Sequence, residues 1–410
     1  MSQQGPIIVV STAGRPSFAA ELDDYRMFPV IEANWADASG AIAQLEPAAV
    51  LVAMSENAEP GLNALAKQIA GRPLYLPLIA VDPQTSLPYN AIPFSQTPGN
   101  SDRLAARLRA ALRVRTLHAT VMRRLDGDQA ARMSLADTDP IRDATVLLIG
   151  RGAAYPSLSV SLGERMGVVG ALSIEAAAKH LNLREIDGIV LGEGFSPRVV
   201  DAFLTVLAED ARFRNLPIVL TSHELMPAYD LPNLEIISGD PERVAANALP
   251  LIRQHAFEAH LGRMLRSIDA DGLLDPRTGL LTSAAFNRDF ATAIYQTLSR
   301  GGGLSVARFA FDPTHERAQL DGARIISRLM RQMDFGAVQP DGSVVVAFAE
   351  TDLRTAHMIA RRLSSVMRHT THGKRDTRAE PAVTLATMLP SDSAKSLLAR
   401  LTDEARRAAS

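Results

Sequence analysis

The chain of 410 residues contains no cysteine. Disulfide bonds, thiol catalysis and cysteine-ligated metal sites are therefore excluded, and the composition suits a cytoplasmic protein. The net charge is only −2, so bulk electrostatics gives no reason to expect nucleic-acid binding.

Membrane and metal signals are also missing from the sequence. The N-terminus has neither the basic segment nor the apolar segment of a signal peptide. No stretch reaches the roughly 18 uninterrupted apolar residues that a membrane-spanning helix needs. The nine histidines show no metal-ligand spacing. We therefore expect no membrane span, no bound metal and no cofactor.

The length of the chain predicts about two to four domains. In residues 1–125, short β-branched runs such as "PIIVV" alternate with alanine- and leucine-rich segments. This alternation predicts a parallel sheet with helices on both faces. The same order recurs in residues 142–262 with little residue identity, and the polar segment 126–143 between the two is predicted to be a linker.

Residues 273–410 follow a different pattern, in which a hairpin replaces one of the alternating helices. The order βα(α)ββαβα predicts a mixed sheet in an α+β domain. The sequence therefore predicts three domains, of which the first two are α/β.

The first two units resemble response-regulator receiver domains, which have the flavodoxin-like fold. The resemblance implies a phosphorylation site at the carboxyl ends of the strands, built from an aspartate nucleophile, Mg²⁺-binding acids, a hydroxyl and a lysine. The nucleophile positions hold Ala53 and Gly192, so neither unit has the carboxylate that phosphorylation needs. The other site positions hold Ser11, Thr12, Asp82 and Thr97 in the first unit, and Gly150, Arg151, Thr221 and Asp240 in the second.

Both units are consequently predicted to be unphosphorylated. Domains that keep a core but lose a site serve as scaffolds or dimerisation surfaces, and an unrelated ligand-binding role is the alternative.

The chain from Asp275 onward resembles the GGDEF family, the nucleotidyl-cyclase-like enzymes that join two GTP molecules into cyclic di-GMP. "DPRTGLLTSAAF" keeps much of the family's opening motif, and "AVTLATMLPSDSAKSLLARLTDEA" resembles its closing strand and helix. The retained positions of the opening motif are Asp275, Thr278, Gly279, Leu280 and Phe286.

The GGDEF signature itself is replaced. Its five positions hold Pro340, Asp341, Gly342, Ser343 and Val344, so the metal-binding acid is lost. Asp341-Gly342 can still form a hairpin turn, which predicts that the fold persists without catalysis. We expect a degenerate, inactive cyclase, and a residual enzyme that uses Asp312 and Asp341 is the less favoured alternative.

The R-x-x-D pattern of Arg331 and Asp334 lies five residues before the replaced signature. In the family this pattern is the inhibitory site, or I-site, which binds cyclic di-GMP. Arg362 falls where the family adds a second arginine, with Arg361 as the alternative register. Guanidinium groups suit bidentate recognition of phosphate and guanine, whereas the plainer interpretation is a solvated charged helix end.

The arrangement as a whole resembles response regulators of the PleD and PopA type. It implies a non-enzymatic cyclic di-GMP receptor in signalling or cell-cycle control, acting as a homodimer that binds a protein partner. A scaffold that binds partners without any nucleotide is the alternative.

Overall fold

The computed structural model describes residues 5–12, 14–24, 29–54, 59–96, 102–128, 131–133, 135, 138–221, 229–314, 316–367 and 381–409. The chain forms two compact units. The first comprises Met1–Met166, Ala171–Ile174 and Ile186–Leu261, and the second comprises Gly167–Gly170, Glu175–Glu185 and Gly262–Ser410. Within the described ranges, no helix combines the length and apolar character needed to cross a membrane.

Five parallel strands form one sheet of the first unit. Its central strands are short runs of buried valine, isoleucine, leucine and alanine, as expected of strands that are covered on both faces. The strand order is β2-β1-β3-β4-β5, which is the flavodoxin-like order. The strands are β1 (Ile7–Ser11), β2 (Val30–Asn34), β3 (Ala49–Ala53), β4 (Leu78–Val81) and β5 (Ala91–Phe94). The helices are α1 (Ser17–Asp24), α2 (Trp35–Leu45), α3 (Glu59–Ala70) and α4 (Asp102–Arg124).

A second five-stranded sheet repeats this order as β10-β9-β8-β6-β7. The pairings of β6 with β8, β8 with β9 and β9 with β10 are parallel, which confirms the predicted parallel α/β architecture. The strands are β6 (Thr145–Ile149), β7 (Gly167–Ala171), β8 (Gly188–Leu191), β9 (Ile218–Leu220) and β10 (Leu234–Ile236). The helices are α5 (Tyr155–Gly163), α6 (Ile174–Leu183), α7 (Pro197–Glu209) and α8 (Pro241–Asp269).

The predicted linker is ordered at its C-terminal end. A 3-10 helix spans Pro140–Asp143, and the carboxylate of Asp139 caps it by accepting a hydrogen bond from the N–H of Ile141 at 3.3 Å. Pro140 is buried, so packing holds this part of a segment whose polar composition indicates an irregular connection.

The third sheet lies in the second unit and has the order β12-β13-β11-β14. All three pairings are antiparallel, so the expectation of a mixed sheet is wrong. Strand β13 returns from the hairpin beside β11, and β14 pairs with the other side of β11 in the opposite direction. The strands are β11 (Leu304–Ala310), β12 (Phe335–Val338), β13 (Val344–Ala349) and β14 (Ala382–Thr387). The helices are α9 (Ser283–Arg300), α10 (Glu316–Leu329), α11 (Leu353–Met367) and α12 (Ala394–Ala409).

Helices cover both faces of this sheet. One face packs under α10 and α11 around a core that includes Phe309, Ile326 and Leu363, all fully or almost fully buried. The other face packs under α9 and α12, with Phe286 and Leu397 in its core. The two cores fix the end of α10, the hairpin and α11, which carry the R-x-x-D pattern, the replaced signature and Arg362.

Candidate functional site

The R-x-x-D pattern forms the turn between α10 and β12. The N–H of Asp334 donates to the carbonyl of Arg331 at 3.0 Å, which closes the turn immediately before β12 begins. Arg331 is exposed, whereas Asp334 is 6% exposed. The pattern therefore combines a free cationic side chain with a buried carboxylate.

The carboxylate of Asp334 has unused hydrogen-bonding capacity. Neither of its oxygens makes a hydrogen bond of normal geometry with any part of the chain that the structure describes. Burial raises the pKa of Asp334, while the charge of Arg331 and the main-chain N–H groups of Ala349 and Arg331 act in the opposite direction. A buried carboxylate whose oxygens make no hydrogen bond of normal geometry carries a desolvation cost, which a ligand with N–H donors would offset.

Arg361 and Arg362, the two candidates for the second arginine of the site, are neighbours on α11. Both arginines are exposed on α11. Arg361 lines a cavity with Val383 and Leu385 of β14, at the opposite end of the sheet from β12, which follows Asp334. Arg362 does not line that cavity. Among the described residues, the guanidinium groups of Arg331 and Arg362 form no hydrogen bond or ion pair.

The replaced signature forms a tight hairpin turn between β12 and β13. The N–H of Gln339 donates to the carbonyl of Ser343 at 2.7 Å, and the N–H of Gly342 donates to the carbonyl of Gln339 at 2.9 Å. Gly342 has a φ of +78°, a conformation that favours glycine. The Asp-Gly pair thus supplies the turn, as the sequence predicts.

Arg308 of β11 occupies the hairpin side of the sheet, and the sequence analysis did not identify it. Its guanidinium donates to the carboxylate of Asp341 at 2.6 Å and to the hydroxyl of Ser343 at 3.1 Å. The hydroxyl and main-chain N–H of Ser343 also donate to Asp341, at 2.6 and 3.0 Å. Although burial raises the pKa of Asp341, these bonds and the Arg308 charge lower it overall. Asp341 therefore has its own internal cation.

The two acids proposed for a residual enzyme have different partners. Asp312 is exposed just beyond the end of β11, and it accepts hydrogen bonds from the N–H and hydroxyl of Thr314 at 2.9 and 2.6 Å. Asp341 is held by Arg308 and Ser343. Over the residues with described positions, no group of three or more histidines or acids has metal-binding geometry.

The retained opening motif is structural. The carboxylate of Asp275 accepts a hydrogen bond from the hydroxyl of Thr278 at 2.6 Å, and Gly279 has a φ of +77° in the same turn. Leu280 and Phe286 are each 1% exposed and belong to the two cores of the unit. These positions fix the entry to α9.

The receiver-like positions lie at the carboxyl ends of the parallel strands, as the strand pattern predicts. Ala53 is the last residue of β3, and Gly192 follows β8 directly. Asp82 follows β4, where its carboxylate accepts hydrogen bonds from the main-chain N–H and side-chain amide of Gln96 at 2.7 and 2.9 Å. The guanidinium of Arg151 donates to the carbonyl of Leu172 at 2.7 Å.

The remaining positions of this set are distributed over the same strand ends, apart from one residue. Thr97 lies outside the described residues. Ser11 ends β1 and Thr12 follows it, Gly150 follows β6, Thr221 follows β9, and Asp240 precedes α8. Neither Ala53 nor Gly192 carries a carboxylate.

Comparison with known proteins gives similarity to solved structures alone. No protein-family model and no curated protein matches the sequence. The similar structures include the coiled-coil and GGDEF domain of DgcB from Caulobacter crescentus in complex with c-di-GMP, at 16% identity and a TM-score of 0.31, over 35% of this chain and 83% of that chain. The GGDEF domain of FimX from Pseudomonas aeruginosa is 17% identical, with a TM-score of 0.30, over 33% of this chain and 94% of that one.

A third similar structure is the diguanylate cyclase SiaD in complex with its activator SiaC, also from Pseudomonas aeruginosa. It is 16% identical, with a TM-score of 0.31, over 36% of this chain and 64% of that chain. Each of these similarities spans about a third of the present chain, and the solved structures named are GGDEF domains or proteins that contain one.

Proposed function

We propose that this protein is a catalytically inactive GGDEF-type receptor for cyclic di-GMP, with Arg331, Asp334 and Arg362 as the ligand-binding residues. The ligand is a cyclic dinucleotide with two phosphates and two guanine bases. Arginine binds phosphate and guanine edges through paired N–H donors, and a carboxylate accepts the N–H groups of guanine.

The observation that carries this proposal is the carboxylate of Asp334. It is 6% exposed and makes no hydrogen bond of normal geometry with the described residues. A residue that served only to end a helix would be solvated or capped, because a buried unsatisfied carboxylate costs stability. Two guanine N–H groups would satisfy both oxygens of the carboxylate at once.

We propose that the protein lacks cyclase activity because of the residues at the hairpin turn between β12 and β13. The third and fourth signature positions hold Gly342 and Ser343, which cannot bind a metal as a carboxylate does. The nearby acid, Asp341, is already paired with Arg308 at 2.6 Å. Phosphoryl transfer depends on metal ions and positioning, so we expect no synthesis of cyclic di-GMP from GTP and Mg²⁺.

The two parallel-sheet parts are proposed to be receiver-like domains that have lost phosphorylation and serve as a scaffold. The strand order of both sheets and the missing carboxylates at Ala53 and Gly192 support this role. In this proposal the ligand shifts the protein toward a homodimeric state that binds a signalling partner, through a higher affinity for that state.

The test is a calorimetric titration of the full chain with cyclic di-GMP, with GTP as a control ligand. We expect Arg331→Ala to weaken binding by at least tenfold. Arg328→Ala is the matched control, because Arg328 is also exposed and lies in the last turn of α10. Equal binding by Arg331→Ala and the wild type would overturn the site. No binding by the wild type would favour the ligand-independent scaffold.

A further inference from the structure

A small cavity in the first unit has the features of a ligand site. Its volume is about 250 Å³. Its lining comes from the end of α3 and the segment after it, from Tyr89 and Asn90, from α4, from described residues between 132 and 140, and from α8. This volume lies slightly below the range of about 300–1,000 Å³ that is usual for sites of drug-sized ligands. The cavity therefore suits a molecule of one or two fused rings.

Aromatic side chains form one wall of the cavity. The ring of Phe257 lies 5.6 Å from that of Tyr75 and 5.3 Å from that of His118, measured between ring centroids. The guanidinium of Arg253 lies 4.7 Å from the centroid of the Tyr89 ring. Flat surfaces of this kind favour a planar ligand, because aromatic rings stack on each other and on guanidinium groups.

Polar groups of the lining have capacity that the protein does not use. The Nδ1 of His118 accepts the N–H of Tyr75 at 3.0 Å, and burial lowers the pKa of His118, so the neutral ring carries its proton on Nε2. His118 is 8% exposed, and no acceptor for this N–H occurs among the described residues. Asn90 donates to the carbonyl of Ala66 at 2.8 Å, but its buried Oδ1 has no partner there.

Arginine side chains add N–H donors to the lining of the cavity. Arg253 forms an ion pair with Asp139, with 3.5 Å between Nε and Oδ1, and no hydrogen bond within the described chain. Glu258 is held by Arg113 at 2.7 Å, and a further lining cation, Arg132, pairs with Asp126 at 2.8 Å. The N–H groups of Arg253 and His118 make no hydrogen bond within the described chain. They therefore favour a ligand that offers a hydrogen-bond acceptor.

We propose that this cavity binds a 6-oxopurine base, such as hypoxanthine, or a planar heteroaromatic molecule of the same size and hydrogen-bonding pattern. Its ring stacks on Phe257, its carbonyl accepts from His118 and Arg253, and a ring N–H donates to the Oδ1 of Asn90. The site lies in the first unit and is too small for a cyclic dinucleotide, so it is separate from the site at Arg331 in the second unit.

The experiment is a calorimetric titration of the full chain with hypoxanthine, and with adenine as the matched probe. Adenine has the same shape, but it has an amino group where hypoxanthine has the carbonyl, so we expect its binding to be at least tenfold weaker. Absence of binding by hypoxanthine, or equal binding of the two bases, would overturn the proposal.

Two variants test the location of the site. Arg253→Met removes the cation while keeping most of the side-chain volume, and we expect at least tenfold weaker binding of hypoxanthine. Ala70→Trp places an indole at the cavity, because Ala70 is an exposed lining residue at the end of α3, and it should abolish binding. Ala64→Trp is the control, since Ala64 is exposed on the same helix and does not line the cavity.

The variants also separate this proposal from the proposed function. Cyclic di-GMP should bind all three variants as it binds the wild type, whereas Arg331→Ala should bind hypoxanthine normally. Thermal unfolding of each variant checks its fold. Full hypoxanthine binding by folded Ala70→Trp and Arg253→Met would show that the base binds elsewhere and would refute the site.

Discussion

At the scale of single residues, two aspartates of the second unit respond to their surroundings in opposite directions. Burial raises the pKa of Asp334 above its ordinary value, whereas hydrogen bonds and the charge of Arg308 lower the pKa of Asp341. A raised carboxyl pKa means that the protonated form is favoured in the folded state, and a lowered pKa means that the ionised form is favoured.

These directions give opposite effects of asparagine substitution on stability. The stability that the protonated Asp334 side chain contributes is fully present when the pH is below the pKa of this group in the unfolded chain. That stability is lost as the pH rises through the raised pKa of the folded state. Asp334→Asn should therefore raise the free energy of unfolding at neutral pH and give little gain in acid. The stability that the ionised Asp341 side chain contributes is present when the pH is above the pKa of this group in the unfolded chain. That stability is lost as the pH falls through the lowered pKa of the folded state.

Asp341→Asn is consequently the matched control, and it should lower stability at neutral pH. Urea unfolding at neutral and acidic pH measures the stability of both variants.

The ionisation of Asp334 should also affect ligand binding, because the ionised carboxylate is the form that accepts N–H groups. Cyclic di-GMP should bind less tightly as the pH falls through the Asp334 pKa, and binding in that pH range should release a proton. A pH-independent affinity would contradict the role of this carboxylate.

The residues of the site differ in how far the sequence could predict them. The spacing of Arg331, Asp334 and Arg362 is visible in the sequence, and so is the loss of the signature acids. The burial of Asp334 is not visible, because it depends on packing beside the end of β13. The pairing of Arg308 with Asp341 joins a strand residue to a turn residue 33 positions away, and no local pattern indicates it.

At the scale of elements, the hairpin depends on the backbone conformation of Gly342. Its φ of +78° is unfavourable for any residue with a Cβ. An added Cβ would also meet the side-chain oxygen of Gln319 at 2.2 Å, although that flexible side chain can move. Gly342→Ala should therefore lower the free energy of unfolding by about 1–2 kcal/mol.

Gly262→Ala provides the control in the same unit. Gly262 lies within α8, has no positive φ, and no atom lies within 4 Å of the position of its added Cβ. Alanine is favoured in a helix by about 0.5–1 kcal/mol, so this variant should be more stable than the wild type. Equal effects of the two substitutions in chemical denaturation would exclude the conformational explanation.

A buried ion pair connects α4 to β10 in the first unit. Arg107 and Glu235 both have fully buried side chains, and their charged groups are 2.7 Å apart. Arg107→Met removes the cation that is hydrogen-bonded to the buried Glu235 and leaves Arg103, 3.9 Å away, as its remaining cation, which should cost about 3–5 kcal/mol of unfolding free energy. The double variant Arg107→Met with Glu235→Leu should recover most of this loss. A decrease in unfolding free energy of less than about 1 kcal/mol in the single variant would contradict a buried ion pair between these two residues.

The order of helices and strands follows from local pattern, whereas the direction of strand pairing does not. Apolar runs such as "IIVVS" and "TVLLI" became buried parallel strands because helices alternate with them. The third sheet is antiparallel throughout its pairings, which depends on β14 joining the free side of β11. The direction in which β14 pairs with β11 depends on tertiary packing and cannot be read from the order of elements. That order alone therefore suggested a mixed sheet.

At the scale of the whole molecule, the two compact units should respond to different ligands. A ligand that binds only the folded form of a unit raises the unfolding temperature of that unit. Differential scanning calorimetry with saturating cyclic di-GMP should shift the transition of the second unit, and hypoxanthine should shift that of the first. The prediction would be contradicted if one ligand shifted every unfolding transition, or if neither ligand shifted any transition.

The arginines of α4 also connect the edges of the two parallel sheets. Strands β5 and β10 each end a parallel sheet, and both are buried, with Phe94 2% and Leu234 1% exposed. Arg107 donates to the carbonyls of Pro93 and Leu234, and Arg103 donates to those of Ser95 and Leu234. Guanidinium groups thus occupy the edge carbonyls of both strands. Loss of these arginines would therefore leave buried carbonyls of both sheets without donors and weaken the contact between the two sheets.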